Sequence, residues 1–383
     1  MTDSDSAWYQ VTNADEIASP ALLVWPDRVE HNIRRLLEIV GGRADHLRPH
    51  VKTHKLPEVI AMQVAAGIKQ FKTATIAETE MTAEAGGTDI LFAYPPVGPN
   101  IGRVMELTKR YPAVQFSALA DDPNMVEAIS RLFHPEGKTL RLFVDIDCGM
   151  HRTGIEMGEA AIALCRQIDD APGTEFAGLH VYDGHIHDIP LEARKSRFTS
   201  DVLPVEDFVR RLNAAGTRVK TIVGGGSPTF GLHAGEADEG DRLEVTYQCS
   251  PGTWIFWDEN YSNWFPELGF IPAAMLLIRV ISRPSHDLLC LDLGHKAVAA
   301  EMPIEGRVGL QELPDAEPIQ QNEEHLVVRT PRAKTFAVGD VIYGSPRHIC
   351  PTVALHQEAV IIRGGRATGE RWAVKARDRR LTV

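Results

Sequence analysis

The chain has 383 residues, 44% of them hydrophobic, which is enough for one large domain and a smaller second one, each with its own core, and excludes a disordered chain. A formal net charge of -12 gives no basic field to hold a phosphate backbone, so small molecules rather than nucleic acid are the expected partners. Five scattered cysteines, an acidic first twenty residues with neither a basic nor an apolar leader-like stretch, and no uncharged apolar run that approaches about 18 residues fit a cytoplasmic protein with no disulfide framework and no membrane span.

From residue 20 to about 230 short apolar runs alternate with longer amphipathic stretches, which is the βαβ rhythm. The expected strands are Leu22 to Trp25, His46 to Val51, Phe71 to Thr75, Asp89 to Tyr94, Val114 to Ala120, Leu140 to Asp147, Glu175 to Tyr182 and Val219 to Val223. Between the first two, Val29, Ile33, Leu36, Leu37 and Val40 recur at helical spacing. Right-handed crossovers turn such a series into a closed parallel (β/α)8 TIM-type barrel. An open doubly wound sheet would carry a GxGxxG after its first strand, and none is present.

Beyond residue 265 the runs shorten and are broken by Pro and Gly: Ala273 to Ile281, Leu288 to Leu293, Leu326 to Val328, Val341 to Tyr343 and Val360 to Ile362. They read as an antiparallel β domain. The expected organisation is an N-terminal segment 1–19 joining the β domain, a barrel over 20–265 and the β domain over 266–383.

Chemistry on such a barrel gathers at the carboxyl ends of the strands. The second expected strand ends in RPHVKTHK, where Lys52, among His50, His54 and Lys55, can become a usable amine nucleophile through desolvation and like charge. The alternative is a solvated basic loop. Arg152 follows the sixth strand in DIDCGMHRTG, as a fixed cation at the mouth or as an ion-pair partner of Asp145 or Asp147. Tyr182, His185 and His187 follow the seventh in HVYDGHIHD. The eighth ends in VGGGSPTF, whose glycines let backbone amides approach an anion while Ser227 and Thr229 offer hydroxyls. In the β domain His348 and Cys350 stand two apart, on one face if the segment is extended, a pair suited to Zn²⁺ or to nothing at all.

In order and spacing, RPHVKTHK, DCGMHRTG, YDGH, VGGGSPT, SPGTWIFWD, LDLGHKAVAAE, NEEH and HICPTV resemble the D-threonine aldolase and D-serine dehydratase family of alanine-racemase-like pyridoxal-phosphate enzymes. The resemblance implies an internal aldimine on Lys52, with His50, Arg152 and Tyr182 beside the cofactor and Gly225, Gly226, Ser227 and Thr229 on its phosphate. It further implies a divalent metal, Zn²⁺ or Mn²⁺, on His348 and Cys350, and His187 or His185 as general base. The expected reaction is retro-aldol cleavage of a D-β-hydroxy-α-amino acid, D-threonine to glycine and acetaldehyde. The alternative is dehydration of D-serine or a 3-hydroxyaspartate, with a racemase or a cofactor carrier behind both. The resemblance also implies a homodimer, for which an exposed Trp254 to Trp257 stretch would supply an apolar surface.

Overall fold

The computed structural model describes residues 8–239 and 243–383, which divide into two compact units that interleave along the chain. One comprises Leu36–Lys52, Pro57–Gly252 and Asp378–Val383; the other comprises residues 8–35, 53–56 and 253–377.

The first strand of the chain, β1 (Ala21–Val24), does not open the barrel as its apolar run suggested. It pairs parallel with Glu358–Arg363 and antiparallel with Ala274–Ser282, in the sheet of the second unit. All four of its residues are buried, so a strand covered on both faces reads in sequence like a strand of a parallel sheet.

In the first unit β2 (Gln70–Thr73), β3 (Asp89–Phe92), β4 (Gln115–Ala120), β5 (Leu140–Ile146), β6 (Thr174–Val181), β7 (Thr221–Gly224) and β8 (Thr246–Cys249) pair parallel in chain order. The segment 47–50 closes the ring. Arg48 N donates to Cys249 O at 2.9 Å, His50 N to Pro251 O at 2.9 Å, and Lys72 N to Pro49 O at 2.9 Å. This stretch, expected as a full strand, makes only the bridges Leu47–Cys249 and His50–Lys72 before turning. The closing strand β8, with its polar sequence TYQC, is not among the runs expected from the sequence.

Leu91, Leu119, Phe143, Ala177 and Val223, one from each of β3 to β7, pack as one apolar layer. Near the amino end of the sheet the buried Arg48 forms a bidentate pair with Asp89, at 2.9 and 3.0 Å, and donates to Gln248 Oε1 at 2.7 Å. That pairing belongs to the stability face of the fold and leaves the carboxyl ends for chemistry. Helices start where proline presets the first turn, as in Pro99–Arg110, Pro123–Phe133 and Pro204–Ala214.

The second unit is one mixed sheet of β1, β9 (Ala274–Ser282), β10 (Leu288–Leu291), β11 (Val308–Leu310), β12 (Glu317–Gln321), β13 (Leu326–Arg329), β14 (Val341–Pro346), β15 (Glu358–Arg363) and β16 (Arg366–Ala373). Apart from β1 with β15, the pairs are antiparallel. Ile17, Leu23, Trp25, Met275, Leu277 and Ile362 make much of its core. The Trp254 to Trp257 stretch, expected at a surface, is buried, each residue at 1% exposure or less, with Trp254 and Trp257 packed on Phe270. It therefore offers no exposed face to a second copy. None of the five cysteines forms a disulfide, and no helix among the described residues is long and apolar enough to cross a membrane.

Candidate active site

Three cations surround one aromatic ring at the carboxyl ends of the barrel strands. Lys52 Nζ lies 5.9 Å from the centroid of the Tyr182 ring, Lys72 Nζ 5.5 Å and Arg152 Cζ 4.9 Å, all within cation–π range. Lys52 stands in the turn Val51–Thr53 that ends the closing segment, and its backbone N donates to His50 Nδ1 at 3.2 Å. Tyr182 directly follows β6, and Arg152 lies on the loop after β5. Arg152 is not paired with either nearby acid: Asp147 holds His151 at 2.8 Å, and Asp145 accepts from His180 and Thr153. The mouth residues Tyr182, Arg152, Asp145 and His180 also line a small cavity there.

The basic crowd expected around Lys52 is differently composed. His54 is fully buried, and burial pushes it down to about 3, while Lys55 Nζ donates to Ala376 O at 3.4 Å. The desolvated amine is Lys72, inside β2 and only 2% exposed. Burial, then the Lys52 charge, lowers it to about 7, against the pull of Asp183 and Asp145. Its Nζ is 3.5 Å from His180 Nε2, and His180 Nδ1 is 2.6 Å from Asp145 Oδ1. Burial, together with Lys72 and Arg152, holds His180 below its ordinary value despite Asp145.

After β7 the chain turns through Gly224, Gly225 and Gly226 into the helix Phe230–Glu239. Gly225 has φ +78, and a Cβ there would lie 2.2 Å from His233 Cδ2, so only glycine fits. Ser227 Oγ accepts from Gly252 N at 3.1 Å, and Thr229 Oγ1 accepts a long bond from Gly226 N at 3.5 Å. A glycine turn leading into a helix N-terminus presents backbone amides and positive dipole to an anion. Beneath it His233 spans Asp183 Oδ2 at 2.8 Å and the Tyr247 hydroxyl at 2.7 Å. Burial alone would raise Asp183, but the charge and hydrogen bonds of His233, with Thr229, hold it below the usual carboxylate range. An amine, an anion cradle and a cation-flanked ring on one barrel mouth fit pyridoxal phosphate.

The two candidate bases differ. His187 is solvent-exposed. His185 Nε2 is 3.0 Å from Asp201 Oδ2, and its buried Nδ1 has no hydrogen-bond partner. If Nε2–H donates to the carboxylate, Nδ1 keeps its lone pair. Among the described residues neither histidine bonds Lys52, Lys72 or Arg152.

In the second unit His348 and Cys350 are not on an extended strand. His348, at φ -139 and ψ 99, caps the short helix Ile349–Val353, because the chain turns directly after β14. His348 Nδ1 is 2.5 Å from Glu301 Oε1, and Cys350 also hydrogen-bonds the imidazole. Burial would lower His348, but the neighbouring Cys350 and then Glu301 raise it to about 9. Cys350 Sγ lies 3.1 Å from Thr53 Oγ1 and 3.6 Å from Thr253 Oγ1. The buried Asp258, pushed up to about 6 by burial, accepts from Ile349 N at 3.2 Å. No group of three or more His, Cys, Asp or Glu among the described residues is arranged to hold a metal ion. Two donors of this kind fit a soft divalent ion with positions left for water or substrate, not a closed structural site.

The family described as alanine racemase, N-terminal domain, matches residues 24–245, which hold the barrel strands β2 to β7. The chain belongs to that family. A putative serine dehydratase domain matches residues 273–362, which hold His348 and Cys350. Over 365 residues the alanine-racemase-like chain is 27% identical to a D-threonine aldolase of Arthrobacter sp, covering 94% of this chain and 93% of that one. It is 28% identical over 374 residues to a 3-hydroxy-D-aspartate aldolase of Paracoccus denitrificans (strain Pd 1222), covering 95% and 93%. Its fold superposes on the crystal structure of D-threonine aldolase from Filomicrobium marinum with a TM-score of 0.84, at 26% identity, covering 97% of this chain and 98% of that one.

Sequence reasoning passed over Lys72, the His180–Asp145 pair, the Asp183–His233–Tyr247 chain, Asp201 and Glu301. Lys72 carried a usable signal: a lysine inside the otherwise uncharged strand QFKT is buried unless the strand is an edge. The others are partners found only by folding.

Proposed function

We propose that the chain is a lyase that cleaves D-β-hydroxy-α-amino acids between Cα and Cβ, D-threonine to glycine and acetaldehyde, with pyridoxal phosphate on Lys52 and a divalent metal on His348 and Cys350. Whole-length similarity to two aldolases of such substrates carries this reading. Bound pyridoxal phosphate supplies an electron sink for the bond held perpendicular to its ring. The Lys52 amine would hold it, with His50 bracing the turn. Gly225, Gly226, Ser227 and Thr229 would bind its phosphate, and Arg152 and Tyr182 would orient its ring. His185 suits the base at the substrate β-hydroxyl better than His187, because Asp201 can fix its tautomer and leave Nδ1 to accept the proton.

Cys350 favours a second reading, dehydration of D-serine or a 3-hydroxyaspartate, in agreement with the putative serine dehydratase domain over residues 273–362. A thiolate also favours Zn²⁺ over Mn²⁺. Racemisation is disfavoured: Tyr343, the tyrosine that would serve as second base, is buried at 6% exposure, its hydroxyl accepting from Val11 N at 2.9 Å. A homodimer belongs to the same proposal.

Product analysis decides between the readings. The purified protein, supplied with pyridoxal phosphate and Zn²⁺ or Mn²⁺, is given D-threonine and D-serine side by side. Glycine with acetaldehyde is the expected result. Ammonia with 2-oxobutanoate or pyruvate replaces the aldolase by the dehydratase.

A further inference from the structure

A lysine inside β2 carries a desolvation cost that an apolar side chain of similar size would avoid, so its presence there calls for a use. Lys72 is 2% exposed and no carboxylate pairs with it directly among the described residues. Among the described residues the one hydrogen-bond neighbour of its Nζ is a nitrogen, His180 Nε2 at 3.5 Å. In the neutral imidazole that donates its Nδ1–H to Asp145 Oδ1 at 2.6 Å, Nε2 presents a lone pair to the lysine. The groups that bear on Lys72 are the cations Lys52 and Arg152, the acids Asp145 and Asp183, His180, and the Tyr182 ring at 5.5 Å. Lys52 stands over the same ring at 5.9 Å.

We propose that Lys72 is a second functional amine of the barrel mouth, a positioning residue whose charge, held against the His180–Asp145 pair, sets the protonation of the cofactor nitrogen carried on Lys52. This rests on Lys52 being the cofactor lysine. A charged Lys72 opposes a second positive charge beside the Tyr182 ring, and a neutral one permits it. With Lys72 drawn down to about 7, that opposition changes across the neutral range in which the enzyme would work.

The test is the pH titration of the visible absorbance of the holoenzyme in wild type, Lys72→Met and Lys72→Arg. Removing the charge in Lys72→Met is expected to move the midpoint up by about one pH unit, whereas Lys72→Arg, which keeps a cation at every pH, is expected to lower it. An unmoved midpoint in Lys72→Met, or an equal rise in Lys72→Arg, overturns the inference, the second because it reports packing and not charge. Should Lys72→Met not fold, Lys72→Arg decides alone: a lowered midpoint supports the inference and an unchanged one overturns it. Borohydride reduction of the wild-type holoenzyme and peptide mapping test the premise separately. A label on Lys52 keeps the two questions apart; a label on Lys72 overturns the Lys52 reading and this inference with it.

Discussion

In the barrel unit Lys52, Lys72, Arg152 and Tyr182 arrive from four different strand ends or strands to surround one ring, whereas in the second unit His348 and Cys350 come from a single turn after β14. The first arrangement exists only when the whole ring of strands has closed. The second is nearly complete in its local turn and needs only Glu301, Thr53 and Thr253 to orient it. The exposure differs as sharply: Lys72, Asp145 and His180 are buried, while the His348 side chain is 46% exposed. The barrel region can therefore hold a desolvated amine, and the His348 corner can exchange an ion with solvent.

The largest expected effects separate the two regions. Lys52→Ala should abolish the visible absorbance of the holoenzyme and lower turnover by at least about a thousandfold, with bound metal unchanged by elemental analysis. His348→Ala or Cys350→Ala should do the reverse to the two labels, leaving the absorbance and removing the metal, again with loss of turnover. A variant of either region that loses both labels would break the comparison. Turnover surviving chelation and both metal-corner substitutions would remove the metal from the proposal.

A smaller effect is expected beneath the glycine turn. Asp183 is fully buried, and its partner His233 is fixed on the other side by Tyr247. Asp183→Asn should lower stability at pH 7 by about 2–3 kcal/mol, measured by urea denaturation. The sign of the pH dependence follows from the depressed carboxyl. Its stabilisation is present above the unfolded carboxylate value, about 4, and is lost as pH falls through the lower folded value. The difference between wild type and Asp183→Asn should accordingly shrink on acidification below about pH 4. A constant difference would mean that Asp183 contributes through shape and not charge.

These sites also mark how far the sequence could be read. Strands β2 to β7 follow the apolar runs because each is buried on both faces, and the residues just after β5, β6 and β7 fall where a barrel presents its chemistry. The two staves on either side of ring closure were hard for physical reasons. The segment 47–50 contributes only two bridges, and β8 has no apolar run. Leu22 to Trp25 misled because burial on both faces gives the same pattern in either sheet. The HxC spacing was legible, but its turn was not: two residues apart reads as one face of a strand until the helix Ile349–Val353 is seen. Lys72 was visible as a residue, and its role was hidden because its partners lie on β5 and β6.

The smallest expected effect sharpens the contrast at the metal corner itself. Glu301 is 43% exposed, and its Oε1 stands 2.5 Å from His348 Nδ1. In Glu301→Gln the amide oxygen can still accept from Nδ1, so the imidazole keeps its orientation and loses only the negative charge behind it. Removing such a partner commonly weakens a metal site by about 10–100-fold, and the conservative change belongs at the lower end of that range. Competition for Zn²⁺ against a chromophoric chelator measures it, with the visible absorbance as the internal control, expected to stay constant. Unchanged affinity would mean that the local turn alone aims His348, making the corner even less dependent on the rest of the fold than the barrel mouth is.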